Sequence, residues 1–252
     1  LTATDPFSPE EMEQALGQRL VREISPNDEM HDAGSQYYFE VGYSALKFVT
    51  LSLLAAERPA PRRILDLPCG HGRALRMLSA AFPDAEITAA DLNRDGVDFC
   101  ASRLGAKPIY SHPLPDQIKL SGSFDLIFCG SLLTHLDAGH WIGFLNLFQS
   151  LLEPGGIVVF TTHGQLSIDL MLSGVQTYGM KPDSIARIVK SHKRHGFGYH
   201  SYSGSSDYGI SVSSTPWVLR EAAKLPGWHL AAYFPQAWAK HQDVYAYVRA
   251  IS

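Results

Sequence analysis

Asp66-Leu67-Pro68-Cys69-Gly70-His71-Gly72-Arg73 stands between a short β-rich run, Ile64-Leu65-Asp66, and a stretch of helical spacing near Arg73 to Ala81. Small residues at a strand-to-helix turn let a ligand come close to the backbone. A pyrophosphate fits poorly here. Asp66 would repel it, and a dinucleotide fingerprint needs Gly or Ala where Leu75 stands. An acid beside such a loop suits a cationic part of a ligand instead.

Outward from this loop the punctuation is regular. Glu86 to Ala90 reads as a second strand, a helix runs from its Asn93 cap to Gly105, and Lys107 to Tyr110 reads as a third strand. Phe124 to Cys129 is continuously apolar, as strands buried on both faces are. A helix over Ala138 to Leu152 leads to a fifth strand, Ile157 to Thr162, so βαβ units repeat. Asp91 ends the second strand, where one carboxylate can accept both hydroxyls of a ribose. An ammonium beside Asp66 and a ribose beside Asp91 suggest S-adenosylmethionine.

On these residues the sequence resembles the class I S-adenosylmethionine-dependent methyltransferases, over roughly Arg63 to Ser252 in element order. Asp66, Gly70 and Gly72 match the family's acid followed by alternate glycines, with Pro68 in the first glycine place. Asp91 matches the acid after strand two, Phe124-Asp125-Leu126-Ile127 the fourth-strand motif, and Leu152-Glu153-Pro154-Gly155-Gly156 the turn before strand five. The resemblance implies a doubly wound α/β fold: a mostly parallel seven-stranded sheet whose last strand is antiparallel, preceded by helices. It also implies methyl transfer to a small-molecule acceptor, with a hydroxyl as the expected case and S-adenosyl-L-homocysteine as product. Cofactor contacts are expected at Asp66, Pro68, Cys69, Gly70, His71, Gly72, Asp91, Leu92, Ser111 and Gly130, and at Tyr38 from a helix laid over the pocket. Two other readings stay open at this point. One is an S-adenosylmethionine-binding protein that acts through a protein partner; the other is a nicotinamide-dependent oxidoreductase, which Asp66 and Leu75 disfavour.

The N-terminal region opens with a capping box, Ser8-Pro9 with Glu11, and a helix expected to about Ile24; Ser25 to Gln36 reads as a loop, and Tyr37 to Glu57 as a second helix. Between His163 and Ser213 regularity lapses, only Ser184 to His192 reads as helical, and long loops of this kind are usually lids. Thr215 to Leu225 reads as a helix, followed by strands Trp228 to Phe234 and Asp243 to Ala250. One domain over residues 1–252 is expected, with a helical cap (1–59), a cofactor-binding half (60–162), a substrate lid (163–213) and a C-terminal helix and strand pair (214–252).

Histidines that follow strand ends are candidate general bases, because the ligand crevice of open α/β sheets lies at those ends. His135 and His163 take that role, with an acid limb expected near pH 6 to 7. Tyr199, Tyr202, Tyr208, Trp238 and His241 are expected to wall the acceptor. The run Lys190 to His195 is either a solvated face or a clamp on an anionic acceptor. His192, His195 and His200 have no carboxylate or cysteine at ligand spacing, so no metal is expected.

Composition narrows the field further. The chain has 252 residues, 45% hydrophobic and 18% charged, which suits a folded domain and not a disordered one. A formal charge of −4 leaves no broad basic surface for nucleic acid. Three cysteines, Cys69, Cys100 and Cys129, without zinc-type pairing, and no visible signal peptide make the cytoplasm the expected compartment. The longest apolar run, Ala45 to Ala56, is interrupted by Lys47 and too short to cross a bilayer, so no membrane association is expected; oligomeric state is open.

Overall fold

The computed structural model describes residues 6–31, 36–205 and 207–251. Seven strands form one sheet: β1 (Arg63–Asp66), β2 (Glu86–Asp91), β3 (Lys107–Tyr110), β4 (Phe124–Cys129), β5 (Leu152–Thr162), β8 (Trp228–Trp238) and β9 (Gln242–Arg249), in the order β3-β2-β1-β4-β5-β9-β8. All pairings from β3 to β5 are parallel, and β9 runs antiparallel between β5 and β8. The expected fold class is therefore the observed one.

Helices α1 (Pro9–Leu16), α2 (Tyr37–Ala55), α3 (Leu75–Ala81) and α4 (Arg94–Leu104) cover one face, and α5 (Ala138–Leu151) and α8 (Thr215–Ala222) the other. The first helix is shorter than its expected end at Ile24. Gly17 takes φ 54°, and a 3-10 turn over Gly17–Arg19 follows. Met12, Leu16 and Leu20 pack in the same core as Val41, Leu75, Ile87 and Val159, so the N-terminal region is continuous with the sheet rather than a detachable cap. Part of the expected loop, residues 32–35, lies outside the described residues.

The insertion departs most from expectation. It holds two helices, α6 (Gln165–Ser173) and α7 (Pro182–His195), and an antiparallel hairpin of β6 (Phe197–Ser201) and β7 (Gly209–Ser213). Ile168, Met171, Ile185, Ile188, Ile210 and Val212 give it a core of its own. The alternation Ile210-Ser211-Val212-Ser213 is the strand signal hidden in the Ser- and Gly-rich stretch. Strand β8 also runs on past Phe234 to Trp238, through irregular pairing. No described helix is long and apolar enough to cross a membrane.

Candidate cofactor and acceptor site

The glycine loop is pinned to the sheet by its own backbone: Leu67 N donates to Phe128 O at 3.1 Å and Cys69 N to Ala90 O at 3.0 Å. Asp91 holds it from the side. Its Oδ2 accepts from Gly70 N at 2.7 Å and its Oδ1 from Asn93 N at 2.8 Å, so one carboxylate spans the loop and the cap of α4. Gly72 takes φ +80°, and a Cβ there would strike Leu104. A Cβ on Gly96, in the first turn of α4, would strike the Gly70 carbonyl, a constraint that spacing alone did not disclose.

Asp66 ends β1 at 1% exposure, and neither carboxylate oxygen has a hydrogen-bond partner among the described residues. Burial, then the Asp91 carboxylate, hold its pKa well above the usual carboxylate range. A cationic ligand group would reverse that penalty. Cys69 and Cys100 form a buried thiol wall beneath the loop, and Cys100 with burial pushes the Cys69 thiol up, away from nucleophilic use. Leu92 is exposed beyond Asp91, and Ser111 N donates to Asp91 O at 2.8 Å, which sets both at the rim of the same crevice. Pro68 and Gly70 are half-buried in the loop.

His71 and Tyr38 are turned to another task. Arg76, at 1% exposure, donates to Gly72 O, Val21 O, Glu23 O, His71 O and Tyr38 Oη, which ties the segment before α2 to the glycine loop. Tyr38 Oη donates in turn to Asp28 Oδ2 at 2.7 Å. His71 Nε2 meets Asp95 Oδ2 at 2.8 Å, and Asn27 Nδ2 donates to the same oxygen at 3.1 Å. Asp28, Arg76 and Asp95 carry this latch, and nothing in their spacing marked them. Arg73, beside it, lays its guanidinium 6.0 Å from the Tyr38 ring centre and makes no hydrogen bond to another described residue.

At the far end of the crevice the insertion closes on the sheet. The His135 ring stacks on Tyr208 at 4.7 Å between centres and lies 6.4 Å from His163, which in turn lies 4.8 Å from Tyr178 and 5.5 Å from His241. Tyr202 lies 5.7 Å from Tyr208. His135 Nδ1 is bonded to Gly209 O at 2.8 Å and His163 Nδ1 to Ser211 O at 3.3 Å; a carbonyl only accepts, so each Nδ1 carries the proton and each Nε2 keeps a lone pair. Tyr178 was not foreseen. It sits at φ 53° between α6 and α7 and bonds His241 Nε2 at 2.7 Å.

The geometry corrects two expectations, for Trp238 and Tyr199, and sets the basic run of α7 on a solvated face. Trp238 is not an acceptor wall: its Nε1 donates to Val41 O at 3.0 Å, its ring packs on Phe128, and it fills the space a Cβ on Gly130 would need. Tyr199 turns toward the core beside α5, its hydroxyl buried and unpartnered among the described residues. The basic residues Lys190, Lys193, Arg194 and His195 are exposed in the last turns of α7, where cations suit the helix dipole, at the opposite end of the β6–β7 hairpin from Tyr202 and Tyr208.

The burial of these imidazoles points to an acid limb below the expected pH 6 to 7. Burial, then His135 and His241, push the His163 pKa down to about 3, and burial lowers His135 and His241 too. A depressed folded-state pKa means stability that is present above the unfolded value and drains away as pH falls toward the folded one. We expect the His163 ring resonances to stay in their neutral position from pH 8 to pH 5 in an NMR titration; a midpoint between 6 and 7 would contradict this burial.

A methyltransferase-domain profile matches residues 65–158. The chain is 31% identical over 112 residues to a malonyl-[acyl-carrier protein] O-methyltransferase of Legionella pneumophila subsp. pneumophila, covering 42% of this chain and 37% of that protein. It is 29% identical over 129 residues to a trans-aconitate 2-methyltransferase of Acidovorax ebreus, covering 51% and 49%. The chain thus spans half or less of these curated relatives. Among solved structures, S-adenosylmethionine-bound CalS10, an amino pentose methyltransferase from Micromonospora echinaspora, aligns over 86% of this chain and 93% of its own with TM-score 0.56 and 15% identity. The N-methyltransferase NodS from Bradyrhizobium japonicum, in complex with S-adenosyl-L-homocysteine, aligns over 94% and 98% with TM-score 0.53 and 14% identity. At such identity these likenesses bear on fold alone. The profile over residues 65–158 and the strand order of the whole sheet together support a class I S-adenosylmethionine-dependent methyltransferase.

Proposed function

We propose that this chain transfers a methyl group from S-adenosylmethionine to a hydroxyl of a small-molecule acceptor. The observation that carries the reading is Asp66, a buried carboxylate with no protein partner among the described residues, facing the glycine loop beside Asp91. The residues fit the group: Asp66 would hold its ammonium, Asp91 its ribose hydroxyls, and Arg73 its carboxylate. Bound there, S-adenosylmethionine supplies a methyl on a sulfonium that departs as a neutral thioether, so no residue need protonate a leaving group. The chain's own work is alignment, which contributes about 7–11 kcal/mol in well-oriented reactions. Nε2 of His135 or His163, left free because Nδ1 donates to Gly209 O or Ser211 O, would accept the hydroxyl proton of the acceptor. The curated relatives named for malonyl-[acyl-carrier protein] and trans-aconitate support methyl transfer to an oxygen-bearing acceptor.

Calorimetry with S-adenosyl-L-homocysteine, followed by transfer of labelled methyl to candidate acceptors, tests the reading. Asp91→Ala is expected to weaken binding about tenfold or more, since hydrogen bonds to a charged group contribute about 1.5–3 kcal/mol and the loop also loses its Gly70 anchor. Unchanged affinity in a folded variant would remove the ribose assignment.

A further inference from the structure

We infer, resting on the methyl-transfer reading, that the acceptor is electrically neutral: a hydroxyl-bearing ring compound rather than a carboxylic acid. Its end of the crevice is built from three imidazoles and three phenols, His135, His163, His241, Tyr178, Tyr202 and Tyr208, with ring centres between 4.7 and 6.4 Å apart along the chain of contacts. Among the described residues no lysine, arginine, aspartate or glutamate side chain is hydrogen-bonded or ion-paired to any of the six. Their polar atoms are answered instead by carbonyls and by one another: His135 by Gly209 O, His163 by Ser211 O, and His241 by Tyr178 Oη with Ser167 Oγ at 3.5 Å. Lys240, beside His241 in sequence, is exposed and lines a groove between α2 and the β8–β9 turn.

A carboxylate brought into this lining would leave water with no side-chain cation among the described residues of the lining to meet it. The imidazoles do not supply the charge, because burial keeps all three neutral at physiological pH. The Tyr208 hydroxyl is raised first by burial and next by the Asp91 carboxylate, so the protein charge felt at the insertion's tip is negative. Arg73 lies by Tyr38, on the glycine-loop side, and is assigned to the cofactor. What the six rings do offer is π-faces for stacking, phenol hydroxyls, and Nε2 lone pairs for a hydroxyl proton.

The test is a fragment titration of the whole chain saturated with S-adenosyl-L-homocysteine, read by calorimetry and NMR at pH 7.5, with phenol, a methyl glycoside and benzoate as probes. One of the neutral rings is expected to bind with Kd about 1 mM and benzoate about tenfold more weakly or worse. Tyr208→Ala should weaken the neutral probe about tenfold, and His241→Arg should shift preference toward benzoate by about the same factor. A glycoside preferred over phenol identifies the ring as saturated and keeps the inference. Benzoate binding as tightly as either neutral ring, no neutral ring binding below about 10 mM, or binding indifferent to Tyr208→Ala overturns it. If S-adenosyl-L-homocysteine itself gives no heat, the cofactor reading fails separately, and the same probe ranking is read on the free chain.

Discussion

Arg76→Met is expected to destabilise the protein by about 3–5 kcal/mol and to lower Tm by about 6–20 °C. Methionine keeps much of the volume but none of the donors, and Val21 O, Glu23 O, His71 O and Gly72 O then lose a charged partner inside the protein. The Tyr38 hydroxyl, whose pKa burial raises and Arg76 opposes, loses its compensating cation at the same time. Because these carbonyls belong both to the N-terminal segment and to the glycine loop, affinity for S-adenosyl-L-homocysteine should fall alongside stability. Thermal unfolding within about 2 °C of the parent would show that the guanidinium does not hold the two parts together.

Asp66→Asn should act in opposite directions on binding and stability. Removing the charge proposed to hold the ammonium is expected to weaken S-adenosyl-L-homocysteine about 100-fold or more, the cost of stranding one member of a buried pair. The free protein should gain about 0.5–2 kcal/mol. The sign follows from linkage: a carboxylate whose folded pKa is raised penalises the folded state once pH climbs above its unfolded value near 3.8, and the penalty is complete above the folded value. The gain in Tm should therefore be larger at pH 8 than at pH 5, and affinity of the parent for the ligand should rise with pH over the same window as ligand binding drives Asp66 to ionise. Equal gains at both pH values, or undiminished affinity, would mean that Asp66 does not carry charge in the site.

The cofactor half was legible because each element there obeys local rules. Asn93 caps α4 through Gly96 N, Gly105 closes it in a left-handed conformation, and Asp125 receives Arg62 N and Arg63 N as a structural clamp, the role its motif most often has. The insertion was legible only as a list of aromatic residues. Which rings face inward depends on strand parity: on β6, Tyr199 shares the face of Phe197 and Ser211 against the main core, so it departs from Tyr202 although both are tyrosines three residues apart. Trp238 misled for a related reason, since Gly130, far away in sequence, leaves the hole that the indole fills. The Asp28–Tyr38–Arg76 latch joins short segments that carry no periodic signal, and only the fold brings them together.

The place of β9 has a consequence for how the molecule assembles. It is the last strand in sequence, yet it enters the sheet between β5 and β8, where Ile157 pairs with Val248 and Thr162 with Asp243. During synthesis the cofactor half can close on itself through near neighbours, while the apolar edge of β5, Ile157-Val158-Val159-Phe160, stays unpaired until residues 243–248 emerge. That edge is the stretch most open to pairing with another chain in the interval, and the wait ends with the same hairpin that carries His241 to His163. Protection from aggregation and completion of the His135–His163–His241 ring cluster thus arrive in a single step.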